Sequence, residues 1–222
     1  VRRIIHGLGF LTAASLVGIA AADAAVTGNI AMTSNYMSRG VSYSDNDPAV
    51  QGGMDYSHPS GVYVGAWGSR VDFDTPAHME LDVYGGMTRP MAGGFAWDLG
   101  VASYSYPGDS TTNYREVYAG LTYKVLTAKL WYANDYAGTG GDERYWDGEL
   151  KWELPLSVDL RLHVGYSEFA PTVGIKDYAD YRASVSRDYQ GLSFDLSYTD
   201  TNQHQFGPWD DGKIVATVSK PF

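Results

Sequence analysis

The side chains of this sequence that could do chemistry are few: five histidines, no cysteine, and more carboxylates than bases. A His–Ser pair within hydrogen-bond reach acts as base and nucleophile, and His58-Pro59-Ser60 is the close His-x-Ser spacing. Pro59 and the following Gly61 are turn formers, so the triplet reads as a turn rather than a catalytic pair. Asp200, His204, Asp210 and Asp211 supply the acids and the histidine that a membrane-face protease needs, but nothing in their spacing requires that use. Asp45-Asn46-Asp47 has the oxygen donors of a weak calcium site; a short acidic run between apolar segments is read instead as a solvated outer turn. Gly138-Thr139-Gly140-Gly141 lacks the flanking strand and helix of a phosphate-binding loop. No catalytic residue, metal ligand or cofactor is assigned.

The remaining charges alternate with apolar residues, and the pattern says where they point. Val158, Leu160, Leu162, Val164 and Tyr166 share one face of a period-2 segment, while Asp159, Arg161, His163 and Ser167 share the other. Met79, Leu81, Val83 and Met87 oppose Glu80, Asp82 and Tyr84 in the same way. Trp146, Leu150 and Trp152 oppose Asp147, Glu149 and Lys151, and Leu192, Phe194, Leu196 and Tyr198 oppose Ser193, Asp195, Ser197 and Thr199. With the charged faces inward, Asp55, Glu80, Asp82, Asp98, Glu116, Asp147, Glu149, Glu153, Asp159 and Asp195 lie inside, together with Lys129, Lys151, Arg161, Arg182 and His163. Enclosed charges on adjacent strands are tolerable only if hydrated or paired. That calls for a wet lumen or a dense ionic network, and all of these except Asp55 and Glu153 are expected to line a pore.

Such segments recur from Val26 onward, each bounded by Gly, Pro, Asp or Asn, without a helical period. The spacing predicts strands over 26–37, 49–57, 62–69, 78–88, 95–106, 113–123, 127–135, 144–153, 158–167, 180–187, 192–199 and 213–222. The strand at 62–69 is apolar on both sides; Val62, Val64 and Ala66 are placed outward and Tyr63 and Trp67 inward, with the reverse register open. A soluble sandwich also has an apolar and a polar face, but three features favour a membrane barrel. Long connections (38–48, 70–77, 136–143, 168–179, 200–212) alternate with short ones (58–61, 89–94, 124–126, 154–157, 188–191), as outer loops alternate with periplasmic turns. The strands approach the ~9–11 residues that cross a bilayer. Outward aromatics collect at strand ends: Tyr36, Tyr132, Trp146, Tyr166, Tyr181 and Tyr198 toward the outer rim, and Tyr56, Trp97, Tyr123, Trp152 and Phe222 toward the periplasmic one. Two girdles of amphipathic rings suit two headgroup layers. The expected fold is all-β, an antiparallel up-and-down transmembrane β-barrel of about twelve strands over 25–222, in the outer membrane of a Gram-negative bacterium.

Residues 1–24 stand apart as a cleaved signal peptide: Arg2 and Arg3 begin it, an apolar stretch from Leu8 to Ala22 follows, and Ala22-Asp23-Ala24 is the cleavage site. A net charge of −10 argues against nucleic acid as a partner. A mean hydropathy of −0.26 excludes a helical membrane protein but not a barrel, whose strands are polar on average. Without cysteine no disulfide framework exists, so a closed hydrogen-bonded sheet must supply stability. The chain ends in an alternating strand, Ile214 to Ser219, then Lys220, Pro221 and Phe222, similar to the C-terminal signal read by the barrel-assembly machinery. Phe222 is the expected assembly signal. Lys220 and Pro221 depart from the usual pattern, and a lysine at the rim can snorkel to headgroups.

Several stretches resemble one family. They are Ser34-Asn35-Tyr36-Met37-Ser38-Arg39-Gly40-Val41-Ser42, Pro48-Ala49-Val50-Gln51-Gly52-Gly53-Met54-Asp55-Tyr56, Gly61-Val62-Tyr63-Val64-Gly65-Ala66-Trp67, Glu116-Val117-Tyr118-Ala119-Gly120-Leu121 and Tyr198-Thr199-Asp200-Thr201. The chain is similar along its mature length to the TorF-type porins, also described as the Gcw_chp family of proteobacterial outer-membrane proteins. The resemblance implies an outer-membrane barrel with a pore role and brings no catalytic motif. About twelve strands lie between the filled barrels of about eight and the open porins of ~16–18, and the expected channel is a narrow one for small solutes; roughly ten acids against four bases inside make it cation-preferring, and no enzyme is expected. Its partners would be outer-membrane lipid, lipopolysaccharide, the assembly machinery and the solutes. The alternative is a closed structural or adhesive barrel acting through its outer loops, and a more distant one is a barrel hydrolase.

Overall fold

The computed structural model describes residues 24–222, so the expected signal peptide lies outside the described residues except for Ala24. In chain order the strands are β1 (Ala25–Thr33), β2 (Met37–Ser38), β3 (Val41–Ser42), β4 (Ala49–Ser57), β5 (Val62–Arg70), β6 (Met79–Pro90) and β7 (Phe95–Ser105). There follow β8 (Tyr114–Tyr123), β9 (Leu126–Ala133), β10 (Glu143–Leu154), β11 (Val158–Phe169), β12 (Tyr178–Tyr189), β13 (Leu192–Thr201) and β14 (Lys213–Pro221). All but β2 and β3 form one closed antiparallel barrel of twelve strands. Each strand pairs with the next, and β14 returns to β1 with Met32 opposite Val218, so no edge is left unpaired.

Local chemistry explains the turns. Gln190 and Gly191 both have positive φ, 52° and 77°, giving the two-residue turn whose twist matches an antiparallel hairpin. Gly61 is at φ 84°, and a Cβ there would stand 2.1 Å from the Thr88 carbonyl oxygen, so no other residue fits. The short turns 58–61, 91–94, 124–125, 155–157 and 190–191 share one end of the barrel, and the longer segments 34–48, 71–78, 106–113, 134–142, 170–177 and 202–212 share the other.

Alternation along each strand sorts the side chains. Val26, Ile30 and Met32 on β1, Leu81 and Val83 on β6, Leu162 and Val164 on β11, and Leu196 on β13 are exposed on the outer wall. So broad an apolar exterior suits lipid rather than water. On β5, Val62 and Val64 are exposed while Tyr63 and Trp67 are buried, the register first placed for that strand. Tyr132, Trp146, Tyr166, Tyr181 and Tyr198 are exposed outward near the loop end.

Tyr36 departs from that girdle and lies buried inside the lumen. The reason is that β1 stops at Thr33 and does not run to 37. Thr33 Oγ1 donates to the Asn35 carbonyl at 2.9 Å, and Asn35 Oδ1 accepts from Ser42 Oγ at 2.7 Å, bonds that turn the chain inward. The segment 38–48, expected as an outer loop, therefore folds into the barrel. Ser38, Arg39, Val41, Tyr43 and Ser44 are all buried there.

Candidate functional site: an occluded, acid-rich lumen

The hairpin β2–β3 turns through Arg39 (φ 42°) and Gly40 (φ 78°), a pair of left-handed residues that puts Arg39 at the tip. A Cβ on Gly40 would lie 2.4 Å from Thr201 Cγ2 and 2.8 Å from Asp180 Cβ, so the tip abuts the inner faces of β13 and β12. Arg39 reaches the inner faces of β8 and β10. Its Nη2 donates to Glu116 Oε1 and its Nη1 to Glu143 Oε1, each at 2.8 Å, with these side chains at most 2% exposed. The guanidinium carbon sits 4.1 Å from the centre of the Tyr145 ring. Glu143 and Tyr145 are two residues apart on β10 and share a face, which lets one strand offer both a carboxylate and a ring. Tyr104 donates to Glu116 Oε2 at 2.8 Å, fixing the acid. Burial opposes the charge on Arg39, and the carboxylates of Glu116 and Glu143 more than offset it, holding its pKa above the ordinary arginine value.

Aromatic rings from the loops and from the loop ends of the strands collar the hairpin. Tyr43 meets Phe73 at 5.1 Å, Phe73 meets Tyr106 at 5.8 Å, Tyr114 meets Tyr136 at 5.4 Å, and Tyr178 meets Phe206 at 5.9 Å between ring centres. The Asp72 amide donates to the Tyr43 carbonyl at 2.7 Å. Asp45, in the run first read as a solvated turn, accepts from Trp209 Nε1 at 2.5 Å, and Asn46 donates to the Pro208 carbonyl at 3.3 Å. That run is thus tied across the mouth to the loop 202–212.

Two inward acids of β6, Glu80 and Asp82, are sealed beneath this lid at 0% and 1% exposure. The Tyr36 and Tyr106 phenols lie beside Glu80, and the carboxyl oxygens of Glu80 and Asp82 alike are buried without a hydrogen bond. Among the described residues no base pairs with either acid. Lower in the lumen, His163 joins Asp147 at 3.2 Å and Asp180 at 3.0 Å, and Tyr145 donates to Asp180 Oδ2 at 3.0 Å.

Toward the turn end the interior opens to water. Lys129 pairs with Asp98 at 3.0 Å, Lys151 with Asp159 at 3.0 Å, and Arg182 with Asp195 at 3.1 Å, their side chains between 20% and 40% exposed. Of the residues expected to line a pore, Asp98, Lys129, Asp147, Glu149, Lys151, Asp159, Arg161, His163, Arg182 and Asp195 stand partly exposed on inward faces. Glu80, Asp82 and Glu116 stand inside but sealed from water in this conformation. Phe222 exchanges backbone hydrogen bonds of 2.9 Å with Gly28 on β1, beside the seam where the barrel closes.

Sequence reasoning missed Arg39, Glu143 and Asp180. Glu143 fell one residue before a predicted strand, and Asp180 opened another with the same inward parity as Arg182. For Arg39 the available signal was Arg39-Gly40 between short polar flanks, a hairpin turn in what looked like a loop. Elsewhere, His58 Nδ1 and Ser60 Oγ are 2.8 Å apart in the exposed turn 58–61. His204, Asp210 and Asp211 bring ligand-type atoms within 4.8 Å of one another in the loop 202–212, while Asp200 instead accepts from Tyr198.

A closed antiparallel barrel with an apolar exterior, a charged interior and a loop folded into the lumen places the chain in the class of transmembrane-type up-and-down β-barrels. Among solved structures, the KdgM porin superposes with a TM-score of 0.59 at 8% identity, covering 89% of this chain and 97% of that one. A structure described as the KdgM porin in complex with disordered oligogalacturonate gives the same values. The NanC porin superposes with a TM-score of 0.59 at 10% identity, covering 88% of this chain and 98% of its own. At these identities the likeness is one of fold. No curated protein matches the sequence. Residues 18–219 match the family described as "Bacterial protein of unknown function (Gcw_chp)", and the chain belongs to that family.

Proposed function

We propose that this protein is an outer-membrane diffusion channel for small solutes, cation-preferring, whose loop end is closed here by its own hairpin. The observation that carries the reading is the nature of the obstruction. Partly exposed ion pairs of the wall occupy the turn half of the interior, and the loop half is filled by an element that is no part of the barrel wall, whose tip is held by one guanidinium. The porin-like fold and the apolar exterior support a place in the outer membrane, with lipid and lipopolysaccharide around the barrel and the assembly machinery as its route there. KdgM is described with a polyanionic oligogalacturonate; the excess of carboxylates in this lumen favours the opposite charge.

Single-channel recording in planar bilayers tests the reading. Wild-type protein should show brief, small openings, and Arg39→Ala should raise the open fraction by removing the latch. Silence from both proteins would favour the second reading, a closed structural or adhesive barrel, which draws on how completely the hairpin is buried.

A further inference from the structure

The latch that closes the lumen is also a recognition site. Two carboxylates and an aromatic face are what a guanidinium needs, and here Glu116, Glu143 and Tyr145 supply them to Arg39 at 2.8, 2.8 and 4.1 Å. All three belong to the wall strands β8 and β10, so nothing in the seat requires its occupant to be tethered to the hairpin. The same end of the lumen holds Glu80 and Asp82, buried, without a paired base among the described residues and with no hydrogen bond to any of their carboxyl oxygens. The wall therefore offers four carboxylates to the single cation that Arg39 brings. A buried carboxyl group with no paired base stays protonated unless a cation arrives to stabilise its anion, so this end can take up more cation than the chain itself provides by releasing protons.

We propose that the loop end of the lumen is a binding site for a small solute bearing guanidinium or primary ammonium groups, which Arg39 occupies in cis while the channel is closed. The proposal rests on the channel reading and names its substrate class. A solute with two cationic ends satisfies both features at once, one end in the seat of Arg39 and the other at Glu80 and Asp82. Anionic solutes are repelled by the acids, and neutral ones can donate hydrogen bonds to them but bring no countercharge. An inorganic cation matches the charge but gains little from the ring face and the planar fork of donors.

Agmatine, a guanidinium joined by a short chain to an ammonium, is the probe. Calorimetric titration would be run on the full chain folded in detergent, as wild type, as Arg39→Ala, and as Glu80→Gln with Asp82→Asn. Heat-modifiable gel migration reports that each variant is folded. Wild type should bind agmatine saturably, Arg39→Ala at least tenfold more tightly because its internal competitor is gone, and the acid-pair variant at least tenfold more weakly. If Arg39→Ala fails to fold, the comparison of wild type with the acid-pair variant decides alone. The proposal falls if folded wild type shows no saturable binding, if the acid-pair variant binds as wild type does, or if equimolar sodium or calcium displaces agmatine. Calorimetry needs no current, so binding without conductance would refute the channel and keep the site. Conductance without binding would do the reverse.

Discussion

Gly40 is the residue on which the closed lumen turns most sharply. Its φ of 78° suits glycine, and its missing Cβ leaves room for Thr201 and Asp180. Gly40→Val should strain the turn and push the hairpin tip off the wall. A cysteine at Ser38, which is fully buried, reports this: unreactive to water-soluble maleimide in the parent, it should label in the Gly40→Val background, and equal protection in both would discount the seating described here. Arg39→Ala strips the countercharge from Glu116 and Glu143, a loss on the order of 3–5 kcal/mol for a buried pair. Arg39→Lys should restore part of it, since one ammonium cannot fork to both acids as a guanidinium does; recordings in which lysine and alanine behave alike would count against the latch. At this scale the sequence was only partly legible. The inward parity of Glu80, Asp82 and Glu116 could be read from alternation, because a strand repeats every two residues. That Arg39 would meet Glu116 and Glu143 could not, because those contacts cross 77 and 104 residues of chain and follow from the path of a loop.

Strands were the most legible elements. Their faces follow directly from period-2 patterning, and β5, apolar on both sides, took its register from the need to pack Tyr63 and Trp67 inside. The end of β1 was misread because Ser34 to Met37 continue in strand-like composition, while the bonds around Asn35 that bend the chain inward join residues far from alternation. The outer wall makes its own prediction. Leu162, 44% exposed on β11, should face acyl chains, so Leu162→Arg should cost roughly 2–4 kcal/mol near the bilayer midplane, measured by denaturant titration of the protein folded into vesicles. A cost no larger than that of a conservative change at inward Arg161 would reverse the faces. At the seam, Phe222 bonds to Gly28 and its ring fills the space where a Gly28 side chain would stand. Deleting Phe222 should lower the yield of assembled barrel in the outer membrane; undiminished yield with normal heat-modifiable migration would remove its role as an assembly signal.

For the whole molecule, the balance of enclosed charge decides what would pass. Lys129, Lys151 and Arg182 each pair with an acid, and the remaining inward carboxyl groups outnumber the one further base, Arg161, so they set the sign of the lumen potential. An open channel should therefore give a cation-selective reversal potential under a KCl gradient. Selectivity should fade from 0.1 M to 1 M salt as the screening length drops from about 10 Å to about 3 Å. Glu80→Gln with Asp82→Asn should reduce it, since both line the path once the hairpin leaves. An anion-selective potential, or one indifferent to those changes, is the result that would defeat the charge argument.

The hairpin arises from the connection between the first two barrel strands, yet everything it leans on is made later in the chain: Glu116, Glu143, Asp180 and Thr201. Its seat does not exist until β8, β10, β12 and β13 stand side by side. Time order therefore runs against chain order, and the earliest loop to be synthesised is among the last to settle. Docking of the hairpin waits on contacts that span long stretches of chain rather than on local turn formation. The hairpin is expected to settle after the strands that seat it, and its docking, read as the loss of maleimide reactivity of a cysteine at Ser38, should slow when Arg39 is replaced while the rate of strand pairing stays the same.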